Sequence, residues 1–225
     1  MKSINNNTKY IFQKNILKWY DQNKRSFPWR NSPSPYEILI SEVLLQQTNA
    51  EKVVQPYKEL VSTYPTFDVL ADADITILRQ VFKPLGLFYR ADKLIEISNK
   101  VKSEHGGSLP NDEESLLGIK GIGKYTANAV LCFGFNQKVP IIDTNIIRIF
   151  YRFFGIKSEK KRAITDKTIW SFAESLLPDE NYVGFNYGML DFAALVCKHY
   201  HPLCDKCVIS TKCWFFNNSE DTEKV

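Results

Sequence analysis

The chain has 225 residues, 44% hydrophobic and 24% charged, the balance of a soluble globular protein and not of a disordered or fibrous one. Its formal net charge of +4 permits a nucleic-acid partner without requiring one. No apolar stretch approaches the roughly 20 residues of a membrane span, and the opening MKSINNNTKY lacks the apolar core of a secretory signal. An intracellular, cytoplasmic protein with no membrane partner is expected.

In chain order, the polar, Asn-rich first residues and the tail 217–225 are expected to be frayed or disordered. Between them strand signals are few, no repeat is visible, and the pattern is helical. It is punctuated by turns near Pro33–Pro35, Gly86, Gly106–Gly107, Gly121–Gly123 and Pro140. After Pro35, residues Tyr36, Leu39, Ile40, Val43 and Leu44 recur at helix spacing, and Ile38 and Leu45 extend apolar character to the far side. This helix is therefore expected to be largely buried. Glu42 falls on the arc near Ile38 and Leu45, where poor hydration would raise its pKa and suit it to general-acid work. On spacing alone, a rim glutamate paired with a lysine or arginine is the more ordinary arrangement.

Residues 116–130 read LLGIKGIGKYTANAV, in which Gly121 and Gly123 flank Ile122 between two helical runs. Such a turn can point backbone N–H groups outward and grip a phosphate without reading sequence, though many helical hairpins turn on glycine for packing alone. In IIDTNIIRIF (141–150), Asp143 precedes an apolar-periodic run and is a natural helix N-cap, where a carboxylate stays ionised. Cys132, alone in an apolar run, reads as a core residue.

Four cysteines, Cys197, Cys204, Cys207 and Cys213, follow a C-x6-C-x2-C-x5-C pattern. Four thiols in so short a segment point to zinc or an iron–sulfur cluster. Structural zinc usually uses two short CxxC knuckles, and only one is present, while His199 and His201 lie in the intervening loop. The spacing supports metal binding and leaves the metal open.

Taken together, FPWR (27–30), SEVLLQQT (41–48), GIGKYTANAV (121–130), IIDTN (141–145) and the cysteine set resemble the endonuclease III (helix-hairpin-helix) superfamily of DNA glycosylases, in particular its MutY and Mig branch. The resemblance implies an all-α, two-lobed fold. A six-helix barrel with the helix-hairpin-helix would span 27–137, and a cluster lobe would be built from 1–26 and 138–216. It implies a 4Fe–4S cluster on the four cysteines, and double-stranded DNA with a mismatched base as the partner of a monomer. The DNA would lie across a cleft with Glu42 and Asp143 facing each other at its base. Asp143 would stabilise positive charge on the sugar, and Glu42 would protonate the departing base or hold a water.

The same resemblance makes Tyr125 informative. Bifunctional members place a lysine there to form an imine with the sugar, which tyrosine cannot do, so a monofunctional enzyme is expected. Lys120, Gly121, Gly123, Lys198 and Lys206 are the expected phosphate contacts, with Lys160, Lys161 and Arg162 as a further basic run. Gln47, Leu87 and Phe88 are candidate wedges that fill the gap left by a flipped base.

For the base itself, QQT (46–48) resembles adenine-removing MutY. Ala50 and LDF (190–192) resemble Mig-type thymine glycosylases, and Tyr187 matches neither well. The chain also runs only a short way past the cysteines, where MutY proteins continue into a domain that reads 8-oxoguanine. Thymine or uracil opposite guanine is the expected target. Adenine opposite guanine or 8-oxoguanine is the alternative, and a non-catalytic, cluster-bearing DNA-binding protein is the alternative of another class.

Overall fold

A computed structural model describes residues 4–31 and 33–218, and among these it contains helices and turns but no strand. The all-α expectation holds. The chain divides into two compact units, one made of 26–137 and the other of 1–25 with 138–225.

In the unit 26–137, helix α2 (Pro35–Leu45) starts at a complete capping box. Ser34 accepts from the Glu37 amide while Glu37 reaches back to the Ser34 amide, and Pro35 sits at the first helical position. Both sides of α2 are apolar because α2 is covered on both sides. It packs against α3 (Ala50–Thr63), α6 (Tyr89–His105), α8 (Lys124–Ala129) and the π-helical turn Val130–Gly134 that continues α8. Ile38, Leu39, Ile40, Val43 and Leu44 are all at most 1% exposed. The short helices α4 (Phe67–Ala71) and α5 (Ile75–Phe82) pack on α6, and α7 (Glu113–Gly118) leads through a turn into α8.

The other unit is organised around aromatic rings. Its helices are α1 (Asn6–Asn23), α9 (Thr144–Phe154), α10 (Lys167–Leu176), α11 (Tyr182–Leu195) and α12 (Trp214–Asn218). Phe12 of α1 lies 4.7 Å from Phe153, and Trp19 meets Phe192 edge-on at 5.1 Å. Helix extends into both of the segments expected to be frayed. Asn5 caps α1 by accepting from the Asn7 amide at 2.8 Å, so Asn6 and Asn7 are already helical. At the other end Asn217 and Asn218 close α12, and the remainder of the tail lies outside the described residues.

Asp191, part of the LDF string, is a structural tie within its unit. It is 0% exposed and accepts from the Arg25 amide at 3.0 Å and the Arg25 Nε at 2.7 Å, tying α11 to the segment after α1. Removing one partner of such a pair strands a charge in the interior. Arg25→Ala is therefore expected to lower stability by about 3 kcal/mol, measured as an earlier midpoint in urea unfolding.

Candidate active site and cysteine cluster

Asp143 is the N-cap of α9. Its Oδ1 accepts from the Ile146 amide at 2.8 Å, and its Oδ2 accepts from the Asn145 Nδ2 at 2.6 Å. Asn145 in turn accepts from an Arg148 guanidinium nitrogen at 2.8 Å. The rest of that guanidinium donates to the Cys197 carbonyl, from Nε at 3.0 Å and from its second terminal nitrogen at 2.9 Å, and to the Ala193 carbonyl at 3.1 Å. A hydrogen-bonded chain thus runs from the carboxylate through Asn145 and Arg148 to the backbone of a cysteine. Burial pulls the Arg148 pKa down from its ordinary value, while the Cys197 thiol and the Asp143 carboxylate act in the opposite direction. One turn later, Arg152 donates to the His199 carbonyl at 3.0 Å and accepts at its own carbonyl from the Cys213 thiol at 3.2 Å.

The four cysteines are not paired in disulfides, and together with Arg152, Val196, Leu203 and Phe216 they line one small apolar cavity. The local backbone explains the spacing. The Cys197 amide bonds the Phe192 carbonyl as α11 ends, and single 3-10 turns at Cys204–Lys206 and Ser210–Lys212 present the last three thiols. Burial pushes the Cys207 thiol up to about 12; a backbone hydrogen bond at Ile209 opposes the rise and the other three thiols add to it. Among the described residues no group of three or more His, Cys, Asp or Glu side chains, the four cysteines included, is placed to hold one metal ion. His199, Lys198 and Lys206 are exposed.

In the unit 26–137, Glu42 sits on α2 at 8% exposure, among the few buried polar side chains. Gln47 is exposed in the turn that follows α2, with φ 54°, and Ala50 opens α3 half-buried. Leu87 is half-buried, and Phe88 is 48% exposed at the N-cap of α6. Tyr125 is half-buried on α8, whereas Tyr187, in the other unit, is buried on α11.

The two hairpin glycines have different physical reasons. Gly121 adopts φ +102°, and a Cβ there would stand 3.3 Å from both Ile97 and Lys93 side-chain carbons. Gly123 has an ordinary extended backbone, and a Cβ there would meet nothing. Its surroundings are open on the protein side, the condition for close approach of an outside group. Lys120 is 85% exposed and paired with Glu96 at 3.3 Å.

The sequence reading missed Asn145, Arg148 and Arg152. The signal was an arginine in each turn of the run IIRIFYRFF, interrupting an otherwise apolar stretch. It also missed Arg90 and Lys93, which gave no such signal.

The family profile for the HhH-GPD superfamily base excision DNA repair protein matches residues 40–175. The "Thymine-DNA glycosylase" of Aeropyrum pernix is 37% identical over 210 residues, covering 92% of this chain and 94% of that one. An "Adenine DNA glycosylase" of Buchnera aphidicola is 31% identical over 207 residues, covering 92% of this chain but 59% of that one. Among solved structures, a thermostable thymine-DNA glycosylase superposes with a TM-score of 0.90 at 33% identity, covering 95% of this chain and 99% of that one. The chain is a member of the HhH-GPD superfamily of base excision DNA repair proteins.

Proposed function

We propose that the protein is a monofunctional mismatch DNA glycosylase that flips and hydrolytically removes thymine or uracil opposite guanine. The observation that carries the chemistry is Asp143. Its carboxylate is fixed at the start of α9 by the Ile146 amide and by Asn145, so it is oriented before substrate arrives. Cleavage of a glycosidic bond leaves oxocarbenium-like positive charge on the sugar, and a fixed carboxylate stabilises that charge. Glu42 orients the pyrimidine carbonyls or a water, since a thymine offers no purine N7 to protonate. The similarity to thymine-DNA glycosylases, over nearly the full length of each, supports the pyrimidine target.

Adenine removal is the second reading, favoured by QQT at 46–48 and by the adenine glycosylase relative. Duplex DNA is bound by the hairpin 120–123, where the open space at Gly123 leaves room for a phosphate, and by the exposed Lys198 and Lys206. Gln47, Leu87 and Phe88 supply wedges. One monomer suffices for this chemistry.

The four thiols fit a 4Fe–4S cluster. They line one shared apolar cavity, and four cysteine thiolates are the donor set such a cluster takes. The cluster's contribution when bound is to hold the segment 197–213. No step of base removal passes through it.

The reading is tested with an end-labelled G:U duplex under single-turnover conditions, with and without hot alkali, and with borohydride. Strand breaks are expected only after alkali, with no borohydride-trapped complex, because Tyr125 cannot form an imine. Tyr125→Lys is expected to yield a trapped complex. Breaks without alkali from the unsubstituted protein would overturn the monofunctional assignment, and no breaks under any condition would overturn the enzyme.

A further inference from the structure

Arg90, on the first turn of α6, is the largest fully buried side chain among the described residues, at 0% exposure. One terminal nitrogen donates to the Leu44 carbonyl at 2.8 Å and to the Thr48 Oγ1 at 2.9 Å. Its Nε and its other terminal nitrogen have no hydrogen-bond partner among the described residues. A buried guanidinium with two unmet donors is unfavourable beside an apolar side chain of the same volume. Core stability alone gives no reason for it.

What Arg90 holds is the end of α2 and the turn beyond it. One helical turn along α6, Lys93 donates to the Gln46 Oε1 at 3.2 Å. Two cations on one face of α6 therefore grip both sides of Gln47. Gln47 itself makes the turn at φ 54°, a left-handed conformation that disfavours any residue with a Cβ, and its side chain is exposed to solvent. Residues 44 to 48 would relax from this conformation if the grip were lost.

We propose that Arg90 is a positioning residue for base flipping, which locks the Gln46–Thr48 turn so that Gln47 is preset to enter the base stack as the target nucleotide leaves. This rests on the reading of the protein as a base-flipping glycosylase with Gln47 as a wedge. Preorganisation matters at this step because unstacking and unpairing the target opposes extrusion. A wedge that must first be ordered on the DNA adds its own ordering entropy to that cost.

The test separates flipping from bond cleavage. A duplex carrying 2-aminopurine beside a non-cleavable 2′-fluoro-deoxyuridine opposite guanine reports unstacking as a rise in fluorescence. The unsubstituted protein and Asp143→Asn are both expected to give the full rise. Arg90→Met is expected to bind the same duplex within about threefold of normal affinity, yet to lose most of the rise. Its single-turnover release from the cleavable G:U duplex is expected to fall roughly tenfold or more. Thr48→Val removes one of the two acceptors, a half-buried hydroxyl, and leaves the side-chain volume unchanged. It is expected to lose part of the rise while its melting temperature stays unchanged. Arg90→Lys keeps a cationic donor at this position and is expected to restore part of the signal lost in Arg90→Met.

A full fluorescence rise with both Arg90→Met and Thr48→Val would overturn the positioning role while leaving the glycosylase intact. A different result separates the parent reading: no rise and no release with the unsubstituted protein would overturn base flipping itself.

Discussion

Asp143→Asn is expected to reduce single-turnover base release by at least about 10²–10³, equivalent to roughly 3–4 kcal/mol of transition-state stabilisation, while leaving the fold intact. The two effects separate because the carboxylate has one observed job and, in the proposed mechanism, a second. As an N-cap it accepts from the Ile146 amide, and asparagine performs that job as well as aspartate. As a charge facing a developing cation it has no neutral substitute. Asparagine also sets an amide nitrogen against the Nδ2 of Asn145, donor against donor, so the link to Arg148 is weakened as well. Asp143→Ala adds the loss of the cap, about 1 kcal/mol of stability. Thermal unfolding monitored by circular dichroism, run beside the kinetics, distinguishes the variants. An Asp143→Asn enzyme within tenfold of full activity would show that the residue is a cap and nothing more.

The second large effect is expected at Arg148, which touches no candidate substrate group. Arg148→Met keeps the length of the side chain on α9 but deletes every hydrogen bond from the guanidinium. The Cys197 and Ala193 carbonyls lose their donor and Asn145 loses its anchor. Unmet, partly buried carbonyls cost about 1–3 kcal/mol, and the damage falls at both ends of the chain. Toward Asp143, an unanchored Asn145 leaves one carboxylate oxygen unconstrained, and base release is expected to fall roughly 10–100-fold, the scale at which mispositioning a reacting group acts. Toward the cysteines, a loosened Cys197 is expected to speed loss of iron from the proposed cluster during chelation, read as decay of visible absorbance. Arg148→Lys, which restores one cation without the planar fork, should recover only part of each effect. A variant with slowed base release but unchanged iron retention would show that the two ends are not coupled.

How far the sequence discloses this site depends on the range of the interactions. The burial of α2 is visible because apolar residues occupy both of its sides within eight positions, whereas spacing alone favours a rim position for Glu42. The cap at Asp143 is visible because a cap and the run it starts are adjacent in the chain. The cysteine cavity is visible because its four thiols fall within seventeen residues. Arg90 is hidden for the converse reason. Arginine is rarely buried, and its acceptors lie 42 and 46 residues away. Asp191 figures in sequence only within the LDF string that resembles Mig-type enzymes; its partner Arg25 is 166 residues distant, and nothing local reveals a buried ion pair. The hairpin falls between these cases. Two glycines announce a turn, but only the backbone shows that Gly121 is required by its φ and Gly123 is not.

The central claim is the identity of the base removed, and single-turnover release from four duplexes, G:T, G:U, A:G and A:8-oxoguanine, tests it most directly. Each is run at equal enzyme excess with alkali treatment, beside the Asp143→Asn protein. Breaks at thymine and uracil opposite guanine, absent with Asp143→Asn, are the predicted result. Breaks at adenine with none at the pyrimidines would contradict it and make the protein an adenine glycosylase.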